Sequence, residues 1–107
     1  METVTQQEIS IKQFLELNKK HNIQIIDIRE KYEYDSGAIF KSIHIPMDQI
    51  LKSIEKIEKE KKVIIYCRSG RRSAAVKYML ERECELKNIY CLEGGYESYL
   101  NYQKKEK

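Results

Sequence analysis

The chain has 107 residues, 20 of them basic and 17 acidic, for a formal net charge of +3, and 41% of its residues are hydrophobic. That length suits one domain, residues 1–107, with a core large enough to need no disulfide or metal staple. The nearly balanced charge lacks a basic stripe with interleaved aromatics, which argues against nucleic acid. No stretch approaches the ~20 apolar residues of a membrane span.

METVTQQEIS has no basic patch followed by an apolar run, so no secretory leader is expected. Val4 to Ile9 reads as a weak first strand. Ser10 with Gln13 three residues on is a capping-box pair, opening a helix with Ile11, Phe14 and Leu15 on one face. Ile23 to Ile28 is a β-branched apolar run, as in a strand buried on both faces. A helical turn over Lys31 to Asp35 ends at Gly37. Ile43 to Ile45 is a brief strand stopped by Pro46, whose missing N–H blocks further ladder bonding.

Asp48 is placed to cap the next helix, with Ile50, Leu51, Ile54 and Ile57 at three- and four-residue spacing. The charged run from Lys52 to Lys62 reads as its solvated face. Val63 to Tyr66 is the second strongly apolar strand. The helix behind it, capped by Ser73, should turn Ala75, Val76, Met79, Leu80 and Cys84 inward. Ile89 to Leu92 is a last strand, and Gly94-Gly95 breaks the chain before a closing helix with Tyr96, Tyr99 and Leu100. Strands alternating with helices over short connections imply an α/β fold: a mainly parallel five-stranded sheet, helices on both faces, with the ligand site at the carboxyl edge.

The run Tyr66-Cys67-Arg68-Ser69-Gly70-Arg71-Arg72-Ser73 stands at that edge, between a strand and a helix. Such a turn aims backbone N–H groups into one concavity, and the helix adds the positive end of its dipole. A thiol held there is stabilised as its thiolate. The chemistry suggested is a cysteine nucleophile in an anion-binding loop. Cys84 and Cys91 fall on an apolar helix face and in a strand, as core cysteines do. The three cysteines form no C-x2-C pair and lie far in sequence from His21 and His44, so neither zinc nor a disulfide framework is expected. A soluble protein of a reducing cytoplasm fits these features.

Three further segments resemble signatures of the single-domain rhodaneses, thiosulfate sulfurtransferases, over nearly the whole chain. Ile25-Ile26-Asp27-Ile28-Arg29-Glu30, with the acidic aromatic turn Tyr32-Glu33-Tyr34 and Gly37, resembles the first; Ile43-His44-Ile45-Pro46 resembles the segment ending in Ile-Pro. Leu92-Glu93-Gly94-Gly95 resembles the C-terminal one, with Tyr99 where a tryptophan is common. Cys67 to Arg72 resembles the family's six-residue active-site loop. Two departures stand out: Ala38 follows Gly37 where histidine is frequent, and Lys41-Ser42 replaces a Gly-Ala pair.

The resemblance implies a rhodanese-like three-layer fold and a reaction without cofactor or metal. Cys67 would take the outer sulfur of thiosulfate as a persulfide, then pass it to cyanide, a thiol or a sulfur-acceptor protein. Backbone N–H groups from Arg68 to Ser73 would cradle the sulfur, with Gly70 in a left-handed or strained conformation. Arg72 would brace or line the pocket, Arg68 and Arg71 would stand at its rim, and Ser69 and Ser73 would offer hydroxyls. Asp27 and Arg29, on a neighbouring strand end, would support the loop or form a structural ion pair. Two alternatives stand beside this: a cysteine-dependent phosphatase or arsenate reductase, and a non-catalytic rhodanese-like regulatory module. The phosphatases need five residues between cysteine and arginine, whereas Arg72 comes one position sooner.

Overall fold

The computed structural model describes residues 8–20 and 22–105. Five strands form one sheet: β1 (Glu8–Ile9), β2 (Ile23–Asp27), β3 (Ile43–His44), β4 (Lys62–Tyr66) and β5 (Ile89–Leu92). Their order is β1-β5-β4-β2-β3, and every pairing is parallel. The sheet is therefore wholly parallel, as the alternation of elements requires. The expected first strand from Val4 is observed only as Glu8–Ile9; Val4 to Gln7 lie outside the described residues.

Alternation along the two central strands makes two cores. Ile26, Ile65, Val63 and Cys91 face one side, against Val76 and Leu80 of α3 (Arg71–Cys84) and Ile50 of the 3-10 segment Met47–Lys56. Ile25, Ile64 and Tyr66 face the other, against Phe14 of α1 (Ile11–Lys19) and Tyr96 and Tyr99 of α4 (Gly95–Lys105). The short α2 (Lys31–Asp35) follows β2. Helices thus cover both faces, as a buried parallel sheet demands. No helix among the described residues is long and apolar enough to cross a membrane.

The capping box of α1 is present on both sides: Gln13 N–H donates to Ser10 Oγ at 3.1 Å, and Ser10 N–H to Gln13 Oε1 at 2.9 Å. Three local expectations are corrected. The helix expected from Asp48 is a 3-10 segment with a break at Ser53, and Pro46 stands at its N-cap while Asp48 lies in the first turn. Proline suits that entry because it lacks the N–H that a helix start leaves unpaired. Three residues per turn set Leu51 about 120° from Ile50, so Leu51 is 44% exposed while Ile50 and Ile57 stay buried. On α3, Ala75 is exposed, and Lys77 is buried in its place through a 2.7 Å bond to Glu81.

The departure at Lys41-Ser42 has a visible consequence. Lys41 is left-handed, with φ of 72°, where L-residues are strained and glycine is not. Ser42 is buried, donating to Ile39 O at 2.7 Å and lying 3.2 Å from the Tyr66 hydroxyl. Lys41→Gly should therefore stabilise the fold by about 1 kcal/mol, relief of strain exceeding the added freedom of the unfolded chain. A urea titration with unchanged slope and a raised midpoint is the expected result; a lowered midpoint would show the strain to be absent.

Candidate active site

The carboxyl ends of β2 and β4 lie level, Asp27 opposite Tyr66, and Ile28 N–H donates to Tyr66 O at 3.0 Å. Cys67 follows directly on β4, the central strand of the sheet, and is only 1% exposed. Gly70 has φ of 104°, a conformation that side chains resist, and so turns the chain sharply enough for α3 to begin at Arg71. Gly70 is thus the N-cap of α3. Ser73 lies inside the first turn rather than capping it, and its hydroxyl donates to Gly70 O at 3.1 Å.

The loop curls around the sulfur. Gly70 N–H reaches Cys67 Sγ at 3.1 Å and Ser73 N–H at 3.4 Å, with the Ser73 hydroxyl 3.8 Å away. Of the six N–H groups expected to form the cradle, these two donate to Sγ. Both come from the start of a 14-residue helix, where backbone donors lack intrahelical partners. Hydrogen bonds to a charged acceptor contribute roughly 1.5–3 kcal/mol each, more than to a neutral thiol.

The three arginines part company. Arg72 reaches back to α2, its two terminal nitrogens 3.2 and 3.3 Å from the Glu33 carboxylate, which is 13% exposed. Arg68 pairs with Glu97 at 3.0 Å on the exposed rim. The Arg71 side chain is exposed and has no hydrogen bond or ion pair among the described residues, nor has the exposed Ser69 hydroxyl. Burial alone would raise the Glu33 carboxyl, but hydrogen bonds from Arg72 and from Glu30 N–H hold it below its ordinary value. The same bond holds the Arg72 guanidinium above its own.

Asp27 and Arg29 form a buried ion pair, with Arg29 Nη2 2.7 Å from Asp27 Oδ2. Neither side chain hydrogen-bonds residues 67–73; Arg29 donates instead to Gly37 O at 2.6 Å and lies over the Tyr96 ring, 4.3 Å from its centroid. Tyr96 in turn carries the link to the site. Its N–H donates to Cys67 O at 2.8 Å, and Glu97 N–H to Arg68 O at 3.0 Å. The start of α4 therefore clamps the loop's entry from outside.

That clamp depends on Gly95. A Cβ placed there would strike Cys67 O and stand 2.7 Å from Arg68 O. The glycine pair, legible in sequence as a helix breaker, is also what lets two backbones touch. In the sequence Glu33 stands only in the acidic aromatic turn after β2; in the structure its Oε1 accepts Glu30 N–H at 2.9 Å and its carboxylate holds Arg72, a bond of which the sequence carries no sign.

The other two cysteines lie outside the loop. Cys91 is buried, with its thiol directed at Ser73 O at 3.4 Å, and burial pushes it up to about 11. Cys84 is half-buried against the core, and all three cysteines are free. His44 stacks on Tyr34 with ring centroids 4.6 Å apart, and one ring nitrogen lies 2.7 Å from Arg29 O.

Comparison with known proteins matches this geometry to one family. The chain is 35% identical over 92 residues to the thiosulfate sulfurtransferase GlpE of Coxiella burnetii, covering 86% of this chain and 85% of that protein. It is 33% identical over 98 residues to a tRNA uridine(34) hydroxylase of Hamiltonella defensa, of which the match covers 27%. A crystal structure of a rhodanese-related protein from Thermoplasma volcanium superposes with a TM-score of 0.80 at 30% identity, covering 90% of this chain and 92% of that one. The rhodanese-like domain model matches residues 10–102. That span runs from the N-cap of α1 into α4 and takes in the Cys67 loop with the glycines that shape it: this chain belongs to the rhodanese-like domain family.

Proposed function

We propose that this protein is a sulfurtransferase that moves the outer sulfur of thiosulfate, or of a related anionic donor, to a thiol or to cyanide through a persulfide on Cys67. The observation that carries the reading is the pair of backbone N–H groups, from Gly70 and Ser73, directed at a buried Cys67 sulfur. A thiolate carries one negative charge on Sγ and a persulfide carries one on the sulfur bonded to it, so the loop has to serve a monoanion before and after transfer.

In the first step Cys67 Sγ attacks the outer sulfur of thiosulfate. A Sγ–S bond forms, the S–S bond of the donor breaks, and its electron pair leaves with sulfite. In the second, the acceptor attacks the terminal persulfide sulfur, and the Cys67 thiolate is released; with cyanide the product is thiocyanate. Arg71, the loop cation whose side chain has no partner among the described residues, is the side chain available for the sulfonate, and the exposed Ser69 lies two residues before it in the loop. Arg72 braces the loop through Glu33. No metal or cofactor enters either step, and the free cysteines suit a reducing cytoplasm.

The relative of similar length, GlpE, carries the name thiosulfate sulfurtransferase, which supports the choice of donor. The phosphatase alternative is disfavoured by the four residues between Cys67 and Arg72 and by the pairing of Arg72 with Glu33. A purely regulatory role would leave the sulfur cradle without use.

Incubation of the protein with thiosulfate should add the mass of one sulfur, removable by cyanide or dithiothreitol, and peptide mapping should place it on Cys67. Persulfide on Cys84 or Cys91 instead would overturn the site, and no adduct at all would overturn the reading.

A further inference from the structure

The Arg72–Glu33 pair joins groups 39 residues apart, and both of its ends are constrained. Glu33 is held by the Glu30 N–H as well as by Arg72. Arg72 sits one residue before Ser73, whose N–H touches the Cys67 sulfur. The loop's last arginine is therefore kept electrically matched by a nearly buried carboxylate, instead of presenting an open positive charge to the cradle.

We propose that Glu33 is a specificity-determining residue: by holding and neutralising Arg72, it tunes the loop to a singly charged sulfur and against retention of tetrahedral oxyanions. This deepens the sulfur-transfer reading and rests on it. Backbone donors suffice for a monoanionic persulfide. Thiosulfate and the sulfite it leaves behind are dianions, and a second fixed cation inside the loop would hold the leaving group in place. Sulfate and phosphate would then compete with the donor. Arg71, on the exposed first turn of α3, can meet an incoming anion at the rim and release it there.

Glu33→Gln separates charge from shape. Glutamine still accepts the Glu30 N–H and so preserves the start of α2, but it leaves Arg72 uncompensated. The probe is inorganic sulfate, titrated while the backbone amide resonances of Gly70 and Ser73 are followed. An uncompensated unit charge at this range should tighten sulfate binding by about tenfold, and the apparent KM for thiosulfate should fall with kcat. Simple damage to the loop would weaken sulfate binding, not tighten it.

The double variant Glu33→Gln/Arg72→Gln should bind sulfate as the wild type does. If Glu33→Gln does not fold, the double variant still shows whether Arg72 already serves the anion. Sulfate binding by Glu33→Gln no tighter than wild type overturns the proposal. So does a double variant that binds sulfate several-fold more weakly than wild type, because Arg72 would then already be serving the anion. Failure of the wild type to form a persulfide would instead overturn the sulfur-transfer reading, while the sulfate affinities would still decide the role of Glu33.

Discussion

Cys67→Ser is expected to abolish thiocyanate formation, lowering turnover at least ~1,000-fold while leaving the fold intact. A serine hydroxyl is almost the size of the thiol and can accept the same N–H groups of Gly70 and Ser73, so the loop keeps its donors satisfied. It cannot carry the transferred sulfur as a persulfide, and it is hardly ionised near neutral pH. The check pairs a thiocyanate assay with a thermal melt. Cys84→Ser and Cys91→Ser should retain turnover; Cys91→Ser should also lower stability, because that side chain is buried against Ile65 and Val76 in the same core. Residual activity above a few per cent in Cys67→Ser, or a loss confined to Cys91→Ser, would move the nucleophile elsewhere.

Gly95→Ala should have the largest effect among substitutions outside the loop. Its φ of 61° already disfavours a side chain, and the added Cβ would meet backbone on the far side, 2.7 Å from Arg68 O and 2.8 Å from Arg68 C. Backbone cannot rotate out of the way as a side chain can. Either α4 or the loop must move, and the bonds from Tyr96 N–H to Cys67 O and from Glu97 N–H to Arg68 O would stretch or break. A loss of roughly 2–4 kcal/mol in stability is expected. Displacing the loop by about 1 Å should reduce turnover of the folded fraction by about a hundredfold. Gly94→Ala is the comparison, since its Cβ would meet the Ser98 side chain and not a backbone. Equal stability and turnover for Gly95→Ala and wild type would show that the clamp does not hold the loop.

What the amino-acid sequence determined by itself is what lies within a few residues along the chain. The Ser10–Gln13 capping box is an interaction between neighbours three apart, and it forms as the residue types require. The β-branched runs at Ile23 and Val63 become central strands because few other places can bury them on both faces. The Cys67 loop was legible for the same reason: strand, nucleophile, glycine and helix start are contiguous, so the chain cannot build the turn without setting the sulfur at the helix N-terminus.

Tertiary structure alone decided the pairings that cross the sheet. Arg72 finds Glu33 because strand order places α2 beside the loop after β4, and hydrophobic periodicity does not encode strand order. The same order seats the start of α4 on Cys67 and turns Gly95 from a helix breaker into a point of backbone contact. Leu51 points outward where α-helical spacing placed it inward, because the segment is 3-10 and turns about 120° per residue from the buried Ile50. Lys41 keeps its left-handed φ because Ser42 is anchored beside Tyr66, a contact made 24 residues along the chain. Local chemistry put the thiol and its two donors in reach of one another; which of three arginines remains open to an anion was settled by neighbours that only folding brings near.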